Sequence, residues 1–301
     1  MNEKHIEELI SLIKKKNPKK VFLQLPEGLL SLATKIVDQL DKEKISAVTC
    51  AEPCYGACDL RDKEARQLGC DLLVNIGHNK FYNNFPTAID VLYYEWFIPL
   101  NIKKIKDIIN KEIGKIKEKN IGLATTIQHL PYLKNVATIL EEKGKKVNII
   151  GQLLGCWPDL SEESSESILF VGSGSFHPLG SSKHVYLLDL ERGEIKDLSD
   201  EQYLKEKRRL ARIEKARDAK LFGILVSTKP GQTDIQSAEK IKKLLEDKNK
   251  KAFIVSADTI TNEKLIALKA DAFINTACPR IIENKFEKPV INKEDVNKLI
   301  E

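Results

Sequence analysis

The chain has 301 residues, of which 42% are hydrophobic and 31% charged, so it is a globular protein with more chain than one core usually serves. Its 49 basic and 44 acidic residues leave a net charge of only +5, which gives no ground for direct nucleic-acid binding. It contains no run of 18 apolar residues, and the opening Met1-Asn2-Glu3-Lys4-His5 has no apolar stretch of a signal peptide, so the reading is a cytoplasmic protein with no membrane span.

Taken in chain order, the elements repeat. A strand over 21–25 ends in Pro26-Glu27-Gly28. A helix is predicted over 29–42, where Leu29, Leu30, Ala33, Ile36, Val37 and Leu40 recur at helical spacing. Strands over 46–49 and 71–76 follow. The same order restarts at Ile121, with a strand over 121–125, a polar loop at 126–129, a helix over 130–143 and strands over 147–150 and 167–171. It restarts again at Leu221, with a strand over 221–226, a loop at 228–232, a helix over 234–247 and strands over 252–255 and 272–275. Strands alternating with helices imply βαβ units and parallel sheets, and strand cores that are apolar nearly throughout imply cover on both faces. The expected fold is α/β, with three similar βαβ-type domains at 1–100, 101–199 and 200–301. One large doubly wound sheet is the alternative. Residues 205–220 read as a basic helix with a solvated, ion-paired face.

Six cysteines in a chain of this kind are buried, metal-binding or catalytic rather than disulfide-bonded. Cys58 and Cys156 follow the second strand of their units and Cys278 the third, all beyond carboxyl ends, where open α/β sheets place ligands. Three thiolates on three units, converging at the centre, would hold one metal cluster and leave a position open. The sequence also allows a local site, because Cys50, Cys54 and Cys58 form C-x3-C-x3-C. Against that, Cys50 closes a strand and Cys70 precedes one, which suits buried cysteine. Cys54 reads equally as a bystander, a redox neighbour or a ligand.

Several polar residues sit at strand ends. Arg280, two residues after Cys278, can pair with a carboxylate, or it is a surface ion pair. Gly172-Ser173-Gly174-Ser175 can offer backbone N–H groups to an anion, or it is a plain turn. Lys229 and Gln232 close the first strand of the third unit, as Glu27 and Gly28 do in the first. Both places suit ligand contacts. His78, His129 and His177 suit proton transfer or positioning, or are satisfied structural histidines. Trp96 and Trp157 read as core, with Trp157 also a possible wall beside Cys156.

Seven motifs in order, spread over nearly the whole chain, resemble the archaeal family of diphthamide-synthesis radical enzymes. They are Leu25-Pro26-Glu27-Gly28-Leu29, Tyr55-Gly56-Ala57-Cys58-Asp59, Gly77-His78-Asn79-Lys80-Phe81, Gly151-Gln152-Leu153-Leu154-Gly155-Cys156, Gly172-Ser173-Gly174-Ser175-Phe176-His177, Ser227-Thr228-Lys229-Pro230-Gly231-Gln232 and Asn275-Thr276-Ala277-Cys278-Pro279-Arg280. The resemblance implies a [4Fe-4S] cluster held by one cysteine per domain, at the matching positions Cys58, Cys156 and Cys278. It implies that S-adenosylmethionine serves as co-substrate and is cut between sulfur and the methionine γ-carbon. The 3-amino-3-carboxypropyl group then passes to the imidazole carbon of a histidine in translation elongation factor 2. It further implies an electron donor and a homodimer. Glu27, Gly28, Gly172, Gly174, His177, Lys229, Gln232 and Arg280 are the candidate contacts to S-adenosylmethionine. The readings to be set against it are a non-catalytic iron–sulfur or zinc protein, and a nucleotide-binding α/β enzyme whose cysteines are incidental.

Overall fold

The computed structural model describes residues 2–80, 85–156 and 164–300. It comprises two compact units, Met1–Trp96 with Arg212–Glu301, and Phe97–Ala211. Phe81 and Trp157 lie outside the described residues.

The first segment runs α1 (Asn2–Lys16), β1 (Lys20–Gln24), α2 (Ala33–Lys42), β2 (Ser46–Thr49), α3 (Asp62–Gln67), β3 (Leu72–Ile76) and β4 (Asp90–Tyr94). Its strands lie in the order β2-β1-β3-β4, all parallel. Parallel neighbours need a crossover connection. Helix α2 provides one because Ala33, Ile36 and Leu40 fall on one face and bury there with Leu23, Leu25, Val74 and Ile76. Helix α1 adds Ile6, Leu9, Ile10 and Ile13 to the same cluster. The register pairs Gln24 with Asn75 at the carboxyl ends of β1 and β3. There the chain, having left β1 towards β2, returns on the other side of β1, which makes this the switch point of the sheet.

The second segment runs α4 (Ile102–Glu112), β5 (Asn120–Thr125), α5 (Leu133–Glu141), β6 (Lys146–Gln152), β7 (Ser167–Gly172), β8 (His184–Asp189) and β9 (Glu194–Asp197). Its sheet is β6-β5-β7-β8-β9, parallel except for β9, which returns antiparallel to β8. Strand β7 is buried along its whole length. Asn101 caps α4 by accepting the Lys104 N–H at 3.0 Å.

Helix α6 (Ser199–Arg217) leads into β10 (Leu221–Ser227), α7 (Ile235–Asp247), β11 (Lys251–Ala257), α8 (Asn262–Ala267), β12 (Ala272–Asn275), β13 (Val290–Asn292) and α9 (Val296–Ile300). These strands lie in the order β11-β10-β12-β13, again all parallel. Thus all three sheets put their first strand between the second and third, with the fourth outside the third. The expected α/β class with parallel sheets is what the chain adopts.

Two local differences have physical causes. The helices expected from 29 and 130 begin at Ala33 and Leu133, after 3-10 turns over Glu27–Leu32 and Ile127–Tyr132. Pro131 lies in the second turn and has no N–H to give to an α-helix. The basic helix is α6, longer at its start than 205–220. It buries Ile213 and Ala216 and carries the ion pairs Arg209–Glu206 and Arg217–Glu214 at spacing i,i+3.

Candidate functional site

Two fully buried polar residues stand at the carboxyl ends of strands at the switch point of the first sheet: Gln24, the last residue of β1, and Asn75, next to last on β3. A buried amide must find partners. Gln24 donates through Nε2 to the Asp59 carbonyl (3.0 Å) and accepts the Arg61 N–H on Oε1 (3.0 Å). Asn75 donates through Nδ2 to Cys54 Sγ (3.3 Å) and towards the Gly56 carbonyl (3.4 Å). Its Oδ1 lies 2.9 Å from His78 Nδ1. Tyr93 donates its hydroxyl to the Ala57 carbonyl (3.3 Å). The loop 54–61, which carries Cys58, is therefore suspended from side chains of three strands.

Burial pushes His78 down to about 4, against the opposing charge of Asp59, so the ring is neutral near pH 7 and its Nδ1–H serves Asn75. Burial, reinforced by the Asp59 charge, pushes the Cys54 thiol up to about 12. Its Sγ lies 3.4 Å from the Gly56 carbonyl and 3.5 Å from that of Asp59. Cys54 is thus a protonated internal fastener of the loop. Cys50 and Cys70 are buried with Phe22, Leu60, Ala65 and Leu73.

The loop after β10 belongs to the same unit and grips the Cys58 loop. Lys229 Nζ pairs with the buried Asp59 carboxylate at 2.6 Å. Gln232 Nε2 lies 3.6 Å from Cys58 Sγ. A Cβ on Gly231 would come 2.5 Å from Cys58 Cα and 2.9 Å from its carbonyl oxygen, so backbone meets backbone with no room for a side chain. Arg280 sits over the Tyr55 ring, 5.8 Å from its centroid, bringing the Cys278 loop beside the Cys58 loop. Cys278 itself precedes the 3-10 turn Pro279–Glu283, and its carbonyl accepts Asn275 Nδ2 (2.9 Å) and the Ile281 N–H (3.0 Å).

In the second unit, Cys156 follows β6. The preceding Gly155 donates its N–H to His177 Nδ1 at 3.2 Å, which makes that nitrogen the unprotonated one. Gly155 also lies so close to the following turn that a Cβ there would meet the Phe176 carbonyl at 2.5 Å. Gly174 has φ +74°, a left-handed turn position.

The cysteines divide into two kinds. Cys58, Cys156 and Cys278 are half-buried on loops at strand ends, whereas Cys50, Cys54 and Cys70 are buried. Among the described residues, no group of three or more His, Cys, Asp or Glu side chains is gathered closely enough for a single metal ion. A cluster takes each thiolate on a separate iron, a wider spacing than a single ion needs.

The sequence matches the diphthamide synthesis protein family over residues 25–301. The chain belongs to the diphthamide synthesis family. It is 32% identical to 2-(3-amino-3-carboxypropyl)histidine synthase of Pyrococcus horikoshii, over 97% of this chain and 89% of that protein. It is 30% identical to the synthase of the same name from Methanocaldococcus jannaschii, over 95% and 85%. The crystal structure of Dph2 from Pyrococcus horikoshii with a 4Fe-4S cluster superposes with a TM-score of 0.87, covering 98% of this chain and 90% of that one at 32% identity.

On this diphthamide-family fold, Cys58, Lys229, Gln232 and Arg280 are brought into one neighbourhood, and Cys156 and His177 into another. Glu27 and Gly28 lie exposed on the turn after β1, and a Cβ on Gly28 would meet nothing within 4 Å. Gly172 ends β7, and His129 donates to the Ile98 carbonyl at 2.9 Å, a structural role. Trp96 is core, stacked on His5 at 4.5 Å. No helix among the described residues is long and apolar enough to cross a membrane. The sequence reading did not single out Gln24, Asn75 or Asp59. Their signal is a lone polar residue at the end of an apolar strand, and a carboxylate directly after the loop cysteine.

Proposed function

We propose that this chain transfers the 3-amino-3-carboxypropyl group of S-adenosylmethionine to the imidazole carbon of a histidine in translation elongation factor 2, the first step of diphthamide formation. Cys58, Cys156 and Cys278, one from each of the segments 1–100, 101–199 and 200–301, hold a [4Fe-4S] cluster. The observation that carries the reading is the division of the cysteines into three half-buried loop thiols and three buried ones, in a chain whose relatives bear the synthase name. When bound, the cluster supplies the electron that breaks the bond between sulfur and the methionine γ-carbon.

The rest of the work falls to the chain. Arg280, held over Tyr55, pairs with the substrate carboxylate. The Gly172–Ser175 turn and the exposed Glu27-Gly28 turn give a backbone surface for the remainder of S-adenosylmethionine. His177, fixed by the Gly155 N–H, faces its second nitrogen to the substrate. Orienting one of the three sulfonium bonds decides which breaks, and that is a task of positioning. The protein works as a cytoplasmic homodimer and takes electrons from a separate donor.

Anaerobic protein, reduced with dithionite and given S-adenosylmethionine, should release methylthioadenosine, with 2-aminobutyrate or homocysteine sulfinate from the trapped side chain. Deoxyadenosine would assign conventional radical chemistry instead. Iron and sulfide without any cleavage would assign a non-catalytic cluster protein.

A further inference from the structure

Three contacts converge on two adjacent residues. Gly231 lays its backbone against Cys58, Gln232 points its amide at the Cys58 sulfur from 3.6 Å, and Lys229 neutralises the buried Asp59 at 2.6 Å. The turn that makes them is itself tied. The Gln232 N–H donates to the Lys229 carbonyl (2.9 Å), and the Thr233 hydroxyl reaches the carbonyls of Ser227 (2.9 Å) and Lys229 (2.8 Å). Gln232 is therefore delivered to Cys58 by a braced loop, and its reach to the sulfur is not a chance of one mobile side chain. An amide N–H aimed at a thiolate stabilises the electron-rich form of whatever that thiolate binds.

We infer that Gln232 is a positioning residue that acts through the Cys58 thiolate and raises the reduction potential of the cluster it ligates, rather than a contact to S-adenosylmethionine. The inference rests on the ligand set given under the proposed function. One N–H donor removed from a charged sulfur weakens reduction, because the reduced state carries the extra electron and gains most from the donor.

The test uses the full chain reconstituted anaerobically, with spectroelectrochemical titration of the cluster absorbance and of the reduced-state paramagnetic signal. Gln232→Met keeps the length and removes the donor, and Gln232→Glu replaces it with a carboxylate. Both should retain cluster content. At the wild-type midpoint the reduced-to-oxidised ratio should fall about threefold in Gln232→Met, because the bond exists in both states and only its strengthening on reduction is lost, and further in Gln232→Glu. The affinity for S-adenosylmethionine, read by equilibrium dialysis, should stay within twofold for Gln232→Met. An unchanged midpoint with weakened S-adenosylmethionine binding would overturn the inference while leaving the cluster assignment standing. Wild-type protein that holds no cluster would instead bring down the ligand set, and this inference with it.

Discussion

The loops carrying Cys58 and Cys278 stand at equivalent ends of sheets with the same strand order, yet they are held in opposite ways. The Cys58 loop hangs on residues remote in sequence: Gln24, Asn75, Tyr93 and, from the third segment, Lys229. The Cys278 loop is held largely from nearby, by Asn275 three residues earlier and by the tight turn that Pro279 begins, with a remote tie from Arg212 to the Ile282 carbonyl (3.1 Å). Asn75 and Asn275 make the difference concrete. Both are buried near the carboxyl end of the third strand of their sheet, but Asn275 also bonds the Asn292 carboxamide at 2.8 Å and accepts the Ala277 N–H at 3.1 Å. A long loop needs distant supports and a short one supports itself, so damage to the first should spread further.

The comparison breaks most completely at the thiols. Cys58→Ala and Cys278→Ala should each lose nearly all iron and sulfide per chain and the visible absorbance, while Cys70→Ala keeps both. Equal retention in all three would refute the ligand set. Next is Lys229→Met, which strands the Asp59 carboxylate in a buried place. A loss of about 3 kcal/mol in urea unfolding is expected, with partial recovery in the Asp59→Asn, Lys229→Met double variant. The asparagines come third. Asn275→Leu should cost about 2 kcal/mol and Asn75→Leu about 1 kcal/mol, since the bonds of Asn275 are shorter and those of Asn75 go partly to sulfur. The reverse order would show that the remote supports dominate.

The smallest effect lies in the second sheet and gives a reference for both loops. His184 sits between Asp197 (2.8 Å) and Glu118 (3.1 Å). Burial lowers its pKa, but the two carboxylates outweigh that and hold it above its ordinary value. A raised pKa stabilises the fold below the unfolded-state value of about 6.5, and the contribution disappears as pH rises through the higher folded-state value. Thermal melts at pH 6 and pH 8.5 should differ by about 0.5 kcal/mol from this source, and His184→Gln should flatten the difference.

The central strands were legible because β1, β3, β5, β7, β10 and β12 are apolar on both faces. Ser46–Thr49 and Ala272–Asn275 match the structure residue for residue. The fourth strand of each sheet was not. Val290–Asn292 is three residues long, too short to show a period. Of the site, the loop cysteines, Lys229, Gln232 and Arg280 were marked by their place at strand ends. What Lys229 and Gln232 touch was hidden, because Asp59 and Cys58 lie some 170 positions away in the chain and only the packed sheets bring them together.

Cys54 has one further consequence, for handling the protein in air. A thiol held protonated to about pH 12 and enclosed by carbonyls is a poor nucleophile. In air, oxygen-derived oxidants convert an accessible thiol to a sulfenic acid, and a second thiolate must then displace water to close the disulfide; Cys54 is slow to supply that thiolate to its neighbour four positions on. If Cys58 ligates iron as proposed, losing the metal in air should leave Cys54 a countable thiol instead of tying the pair into a disulfide.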